Sequence, residues 1–385
     1  MKFMGYRRPD GSFGVRNHFL VISSGACSNV VTREISNRFP NSVAITHNFG
    51  CTQIGRDREQ TVRVLEGFAA NPNTAASLVV GLGCETIPAE EIASGIAKAG
   101  RPVSSVTIQK EGDETTAITK GVRKAREMVQ GIQRQNREES ELSTLTIAVE
   151  CGASDFTSAI AANPAVGATV DRLLDEHGTV IFSETTEIIG AEHLLTPRMK
   201  DSRSKVRLKA AVSKVKAEAW RLGVDVRAGQ PTPGNIRAGI TTLEEKSLAA
   251  IVKAGTKPIE GVLDYAERPS RHGLFFMDTP GNDVESVTGM VAGGAVIVLF
   301  TTGLGTPVGS AAAPVIKITG NERTHLAMRR HIDIDVSPIV DGTMSVEKEG
   351  KKILSEIVRV ASGKRTRSEI LGHREFSINR IGPTL

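Results

Sequence analysis

Short apolar runs, rich in β-branched and large side chains, recur along the chain. They are Phe19–Ser23 (FLVIS), Val43–His47 (VAITH), Leu78–Gly83 (LVVGLG), Leu145–Val149, Thr179–Phe182, the GLFFM before Asp278 and the AVIVLF before Thr301. Continuous apolar runs bounded by turn residues read as strands buried on both faces, the habit of parallel sheet. Between the early runs lie helix-like segments at Asn29–Arg38, Arg56–Ala69 and Pro88–Ala99, followed by a long polar helix from Thr115 to Gln135. Regular strand–helix alternation predicts an α/β fold with right-handed crossovers. The charged stretch RQNREESELS, Arg134–Ser143, has no apolar period and is read as a boundary. The expectation is two Rossmann-like lobes with mainly parallel sheets, 1–140 and 141–385, and a site at the carboxyl ends of the strands. An amphipathic segment, Glu347–Ser362, reads as a packing helix.

The stretch Thr144–Gly167, TLTIAVECGASDFTSAIAANPAVG, reads as strand, polar elbow and helix, with Glu150, Cys151, Gly152, Ser154 and Asp155 in the elbow. The other cysteines, Cys27, Cys51 and Cys84, also follow strand-like runs by a few residues. If those strands are parallel neighbours, the four thiols converge on one sheet edge. A free cysteine is also a small buried hydrophobe, and no Cys-x-x-Cys pair is present to decide between the two readings.

Composition narrows the context. Hydrophobic residues at 39% and charged residues at 24% describe a soluble globular chain. No apolar run approaches twenty residues, and MKFMGYRRPDG lacks a signal-peptide core, so a cytoplasmic protein with no membrane partner is expected. Thiols stay reduced there, which favours metal, cluster or catalytic roles. A net charge of +5 with 4% aromatic residues gives no nucleic-acid signature.

Polar candidates fall in the turns. Arg16 and Asn17, in GYRRPDGSFGVRNH, suit a carboxylate clamp or, more plainly, a hairpin cap. Asn235 and Thr242, in GNIRAGITTLEEKS, precede a helix and could hold an anion, although Thr242 with Glu245 also fits a capping box. Thr301 and Thr302 open a glycine-rich loop that lacks the P-loop ending. His47 is favoured as an acid–base group or ligand, with Lys246 and His193 as candidate bases. Glu85 and Glu150 flank cysteines and are candidate ligands or orienting groups; Asp155, Glu184 and Asp278 are weaker candidates of that kind.

Taken together, GYRRPDGSFGVRN, THNFGC, GLGCE, ECGASDFTSAIAANPAVG, FSETTEIIGAEHLL, GNIRAGITTLEEKSL, FFMDTPG and FTTGLGTPVG resemble the altronate and galactarate dehydratase family across most of the chain. The resemblance implies an iron-dependent lyase that removes a group β to a carboxylate, dehydrating a sugar acid to a 2-keto-3-deoxy acid. Some relatives are instead large subunits of a sulfolactate sulfo-lyase, which releases sulfite and pyruvate. With that iron dependence, Cys27, Cys51, Cys84 and Cys151 become candidate ligands of Fe2+ or of an iron–sulfur cluster. Three of them with an open iron would suffice, and which is spare stays open. A small hydroxy acid is the implied substrate, a small β-clip subunit the implied partner, and a homo-oligomer the expected assembly. A non-catalytic subunit that needs such a partner is the alternative. The sequence departs from the family's usual Glu-Gly-Cys-Gly loop after His47, where Asn48, Phe49, Gly50, Cys51 and Thr52 stand; a carboxylate is lost and an apolar ring gained.

Overall fold

The computed structural model describes residues 1–382; Pro383–Leu385, the end of the second expected lobe, lie outside the described residues. Strands in chain order are β1 (Lys2–Arg7), β2 (Phe13–Gly14), β3 (His18–Ser23), β4 (Ser42–Ile45), β5 (Thr74–Gly81), β6 (Val103–Thr107), β7 (Glu138–Glu141), β8 (Thr146–Cys151), β9 (Thr179–Phe182), β10 (Ile259–Leu263), β11 (Gly273–Met277), β12 (Ile297–Thr301), β13 (Val315–Thr319) and β14 (Ile334–Asp335). They form a three-stranded antiparallel sheet, β2-β1-β7, a four-stranded parallel sheet, β4-β3-β5-β6, and a seven-stranded parallel sheet, β10-β11-β9-β8-β12-β13-β14. The α/β expectation holds. Every residue of β5, β9, β12 and β13 is buried, which is why these segments read as unbroken apolar runs.

Strand order fixes where ligands can bind. From β3 the chain goes to β4 on one side and then to β5 on the other; from β8 it goes to β9, β10 and β11 on one side before returning to β12. Order reverses at β3 and at β8, and a crevice opens beyond the carboxyl ends of an open sheet at such points. Cys27 and Cys151 follow or end these two strands.

Two parts of the expectation change. MKFMGYR is a strand, not an extension of the polar turn, and it pairs antiparallel with Glu138–Glu141, inside the charged stretch read as a boundary. Alternation on β1 puts Phe3 and Gly5 inward, and Phe3 joins the core of the seven-stranded half with Val15 and Leu142. A two-sided pattern of so few residues is masked by the charges beside it.

The halves are bound by polar groups as well as by a shared core that mixes Leu20, Ile22 and Phe68 with Ala148, Phe275 and Phe300. The Asn73 side chain accepts from Val15 N (2.8 Å) and Arg16 N (3.1 Å) and donates to Val296 O and Ala312 O (both 2.9 Å). That uses its full capacity in a buried place, where an unmet amide is costly. Helices Gly55–Ala70 and Asp283–Ala292 cross at Gly67, where a Cβ would come 2.5 Å from Ala292 O. No helix among the described residues is long and apolar enough to cross a membrane.

Candidate active site

The ends of β8, β9 and β11 deliver a buried, charged network. Glu150 and Cys151 close β8, Glu184 stands two residues past β9, and Asp278–Thr279 follow β11. Glu184 occupies the left-handed region (φ 75°), strained for a side chain with a Cβ. Its backbone N donates to Thr279 Oγ1 (2.9 Å), and Thr185 Oγ1 donates to Asp278 Oδ1 (2.6 Å), so the β11 loop holds it. Residues 185–188 form a 3-10 turn, which stacks positions three apart. Glu184 and Glu187 accordingly both reach Lys253: Nζ donates to Glu184 Oε2 and lies 3.6 Å from Glu187 Oε2. Lys246, seven residues before Lys253 and on the same helical face, pairs with Glu187 Oε1 (2.8 Å).

Charge bookkeeping explains the protonation. Glu150 and Glu184 are 0% exposed, Lys253 is 1%, and Asp283 is half-buried. Carboxylate oxygens of Glu150, Glu184 and Asp283 gather within 4.8 Å. Four carboxyls, counting Glu187, face two ammonium groups, so two protons or a cation must balance them. Burial, then the Glu187 charge, pushes Glu184 up to about 8. The same two causes push Asp283 up to about 6, and burial with the Glu184 charge raises Glu150 well above the carboxylate range. Burial opposes ionisation of Glu187 too, but Lys246 and Lys253 outweigh it and hold that carboxyl low. Lys246 stays raised for the converse reason, Glu187 overcoming burial. Glu150 Oε1 and Glu184 Oε1 have no hydrogen-bond partner among the described residues. Groups that exchange protons near neutrality are thus packed against permanently charged lysines, an arrangement suited to acid–base work.

A cleft of about 960 Å³ opens between the halves beside this network. Thr186, Gln230 and the loop Asp278–Gly281 form one wall, and Arg56, Gln60 and Arg380 stand on another. Gln230 Oε1 accepts from Lys246 Nζ, which connects the cleft to the buried charges. Arg380 also stacks over Phe49 (5.0 Å) and pairs with Asp57 (2.7 Å), joining the cleft to the loop that carries Cys51.

The N-terminal cysteines form a second region. Cys27 lies four residues past β3, Cys51 six past β4 and Cys84 three past β5, all exposed, whereas Cys151 is the buried last residue of β8. Two of these differ from the few residues past a strand end read from sequence, because β4 ends at Ile45 and β8 runs through Cys151. The three exposed loops are laced together: Ala26 N donates to Phe49 O (3.0 Å), Ile87 N to Gly50 O (3.2 Å) and Thr52 N to Thr86 Oγ1 (2.8 Å). Gly50 (φ 99°) packs so closely on Ser24 O that no side chain fits. Cys151 is engaged elsewhere, 2.9 Å from Ser154 Oγ and 3.6 Å from Asn163 Nδ2, and burial raises its thiol. Soft thiols suit iron or a cluster, and the carboxylate trio suits a harder ion; among the described residues the trio, and not the thiols, forms a group whose ligand atoms lie within 4.8 Å of one another.

The remaining candidates scatter. Arg16 and Asn17 precede β3, at its amino end, on the edge opposite the cysteines. All five Arg16 donors are spent, on Glu369 Oε1 (2.6 Å) and Oε2 (2.8 Å) and on the carbonyls of Val15, Val360 and Lys364, and Asn17 bridges Arg8 and Ile132 O. The carboxylate clamp is therefore corrected to a structural tie. His47 is buried, with Nε2 2.9 Å from Ser23 O and Nδ1 accepting from Phe49 N (3.1 Å), and burial lowers it to about 4. It shapes the Cys51 loop through both ring nitrogens. Glu85 is anchored by Ser24 Oγ (2.7 Å) and Gly83 N (2.5 Å) among the thiol loops. His193 is exposed on a short helix, Glu192–Leu195. Thr242 caps helix Leu243–Ile251 by accepting from Glu245 N (3.0 Å), and Asn235 donates to Ser154 O (2.9 Å), supporting the β8 elbow. Thr301 Oγ1 donates to Asn163 Oδ1 (2.6 Å) and Thr302 Oγ1 accepts from Gly305 N (3.0 Å), both buried behind the elbow. Asp155 organises the start of the following helix by accepting from Thr157 Oγ1 (2.6 Å) and Ser158 N (3.0 Å).

Lys253, Glu187 and Asp283 were not singled out from sequence. One signal was available: Lys253 interrupts the apolar run AAIVKAG, where a lysine needs a buried partner.

Comparison of the sequence with known proteins shows its family. The profile described as "D-galactarate dehydratase/Altronate hydrolase, second domain" matches residues 5–133, and "D-galactarate/Altronate dehydratase, C-terminal" matches 142–384. The "(2R)-sulfolactate sulfo-lyase subunit beta" of Chromohalobacter salexigens is 39% identical, over 98% of this chain and 97% of that one. Altronate dehydratase of Escherichia coli is 33% identical over 99% of this chain and 78% of its own, and galactarate dehydratase (L-threo-forming) of the same organism 34% over 99% and 77%. The thiol loops and the Glu184 network lie within the two matched segments, and the chain belongs to the altronate and galactarate dehydratase family.

Proposed function

We propose that this chain is the catalytic subunit of a lyase that expels a group β to the carboxylate of a small hydroxy acid, with sulfolactate as substrate and sulfite as leaving group. The observation that favours sulfite is the 39% identity to a sulfo-lyase subunit, against 33% and 34% for the two dehydratases. Release of water from a sugar acid, giving a 2-keto-3-deoxy acid, is the second reading, and the dehydratase relatives support it.

Elimination needs a base for the proton beside the carboxylate and positive charge for the enolate that forms. Asp283 is the member of the carboxylate trio that reaches solvent, and with its carboxyl near 6 it is ionised at neutral pH yet basic enough to accept a proton. Lys246, protonated and tied to the cleft wall through Gln230, supplies the charge. This differs from the base role considered from sequence, because a lysine held above its ordinary value keeps its proton. Asp283 takes the C2 proton, the released pair forms the C2=C3 double bond, and the C3–S bond breaks to give sulfite. The enol left behind takes a proton at C3 to become pyruvate. Iron, held by thiols of the N-terminal loops, would supply Lewis-acid polarisation of a substrate oxygen when bound.

The test is product analysis with iron-loaded protein, with and without a small partner subunit, on sulfolactate, altronate and galactarate. Sulfite with pyruvate from sulfolactate is expected. A 2-keto-3-deoxy acid from a sugar acid alone moves the second reading to the front, and no product from any of them sinks the lyase reading. Asp283→Asn should lower kcat about 10²–10⁴-fold with fold retained.

A further inference from the structure

We infer that Glu150, Glu184 and Asp283 form an oxygen-donor site for one hard divalent cation of the Mg2+, Mn2+ or Ca2+ class, and that its occupancy shuts off proton transfer by Asp283. The site stands on the geometry of the three carboxylates; the effect on turnover rests on the lyase reading above.

The three carboxylates come from three separate elements. Glu150 sits in β8, Glu184 follows β9, and Asp283 opens the helix Asp283–Ala292. One oxygen from each gathers within 4.8 Å of the others. A hard cation holds its oxygens at about 2.0–2.6 Å, so two donors on one ion stand up to about 5 Å apart. The observed spacing is that of oxygens sharing an ion. Gly152 makes room for the group, because a Cβ there would collide with Asp283 Oδ2.

The bonding of each glutamate calls for a ligand. On Glu150 the protein uses Oε2, which accepts from Ser286 Oγ (2.8 Å) and Ser183 Oγ (3.3 Å). On Glu184 it again uses Oε2, which accepts from Lys253 Nζ and from Cys151 N (3.3 Å). Oε1 of both side chains is buried without a partner among the described residues, and both residues are 0% exposed. Carboxylates that ligate metals are held in this way, one oxygen bonded by the protein and the other given to the ion. Protonation does not resolve the pattern, because an acid O–H at Oε1 would itself need an acceptor.

Charge agrees with geometry. Glu187 brings the carboxylates to four, against the ammonium groups of Lys246 and Lys253, and the two negative charges left over are those one divalent cation cancels. Donor type selects the ion: a group of carboxylate oxygens without a thiol suits a hard cation. Asp283 is the member that reaches solvent, so it is both the way in for the ion and the base that meets substrate. A carboxylate lone pair given to a cation cannot take the C2 proton, so ion and elimination exclude each other.

The experiment is Mn2+ binding to the full, chelator-treated chain, read by electron paramagnetic resonance and calorimetry, with Ca2+ as competitor. The proteins are wild type, Asp283→Asn, Ser286→Ala and the triple variant Cys27→Ser, Cys51→Ser, Cys84→Ser, each checked by circular dichroism. Wild type and the triple variant should bind one Mn2+ per chain that Ca2+ displaces. Ser286→Ala, which loosens Glu150 without removing a ligand, should weaken binding about 10–100-fold, and Asp283→Asn at least as much. No ion on wild type, or equal binding by Asp283→Asn, overturns the site, and loss in the triple variant overturns it by moving the ion to the thiols. With iron-loaded protein turning over sulfolactate, Ca2+ should lower kcat with an inhibition constant equal to its binding constant, and that constant should rise in Ser286→Ala. Turnover untouched by saturating Ca2+ overturns the shut-off. Mn2+ bound by a protein that yields no product upholds the site and removes only the lyase reading.

Discussion

Two sets of strand-end loops in this molecule solve opposite problems. Beyond β3, β4 and β5 the loops are exposed, nearly neutral and held by backbone hydrogen bonds; beyond β8, β9 and β11 they are buried, crowded with carboxyls and held by two lysines. Backbone bonding leaves side chains free at the surface, where soft donors can meet an occupant from solution. Burial with counter-charge does the reverse: it spends side chains on each other and moves their protonation toward neutrality. One parallel architecture thus carries an exposed, weakly charged set of loops and a buried, highly charged one.

The sharpest break in this comparison is Lys253→Met. It removes a buried cation while Glu184 and Glu187 remain, and an uncompensated buried charge costs about 3–5 kcal/mol. Urea unfolding should show a correspondingly lower midpoint together with loss of activity, whereas Cys84→Ser should leave the midpoint near wild type. Equal midpoints for Lys253→Met and wild type would mean the network is not what holds the β9 loop.

Glu184→Gln sharpens the protonation argument. The Glu184 carboxyl is raised to about 8, by burial first and then by Glu187. Its unfolded value is near ~4.3, so the folded protein binds this proton more tightly. Its contribution to stability is complete below about 4.3 and is lost as pH rises through about 8. Glu150 and Asp283, raised in the same direction, add to the fall; Glu187, held low, acts oppositely and only below the carboxylate range. Melting temperature should therefore decline from mildly acidic to mildly alkaline pH in wild type and decline less in Glu184→Gln. A slope unchanged by the substitution would place the titration elsewhere.

Much of the frame was legible because burial on both faces of parallel strands leaves continuous apolar runs, as in FLVIS and AVIVLF. The four strand-end cysteines were read as neighbours on one sheet edge, but Cys27, Cys51 and Cys84 follow strands of the smaller sheet while Cys151 ends a strand of the larger one. Partner choice was not legible either. Arg16 carries the fork expected of a carboxylate clamp, and it does bind a carboxylate, but that of Glu369, 353 residues away. Lys253 was not singled out because its partners, Glu184 and Glu187, come from another strand's loop. Residue type announces what a group can do, and only the fold decides whether a substrate or the chain itself receives it.

Arg16→Ala tests that distinction on the stability side. Removing the guanidinium leaves Glu369 and the carbonyls of Val15, Val360 and Lys364 without their donor. Breaking such a largely buried pair costs about 3 kcal/mol, read as a lower urea midpoint, with KM unchanged at temperatures where the variant is folded. A raised KM with unchanged stability would restore the substrate clamp.

The smallest expected effect separates the same two roles at Thr242. Its hydroxyl accepts from Glu245 N, while Glu245 reaches back to Thr241 N (2.8 Å) instead of to Thr242, so the cap is reciprocal but displaced by one residue. Helix Leu243–Ile251 carries Lys246 and leads into Lys253, so this cap sets the start of the element that supplies both buried cations. Thr242→Ala removes one acceptor at an exposed helix end and should cost about 1 kcal/mol. Thr242→Ser, which keeps the hydroxyl, should recover most of that. If Thr242 is only a cap, kcat and KM stay near wild type in both variants, because Glu187 and Gln230 still fix Lys246 from the other side. A KM that rises sharply in Thr242→Ala and returns in Thr242→Ser, with no change in melting temperature, would instead mean that the hydroxyl meets the substrate and that the cleft extends past Gln230 to this helix end.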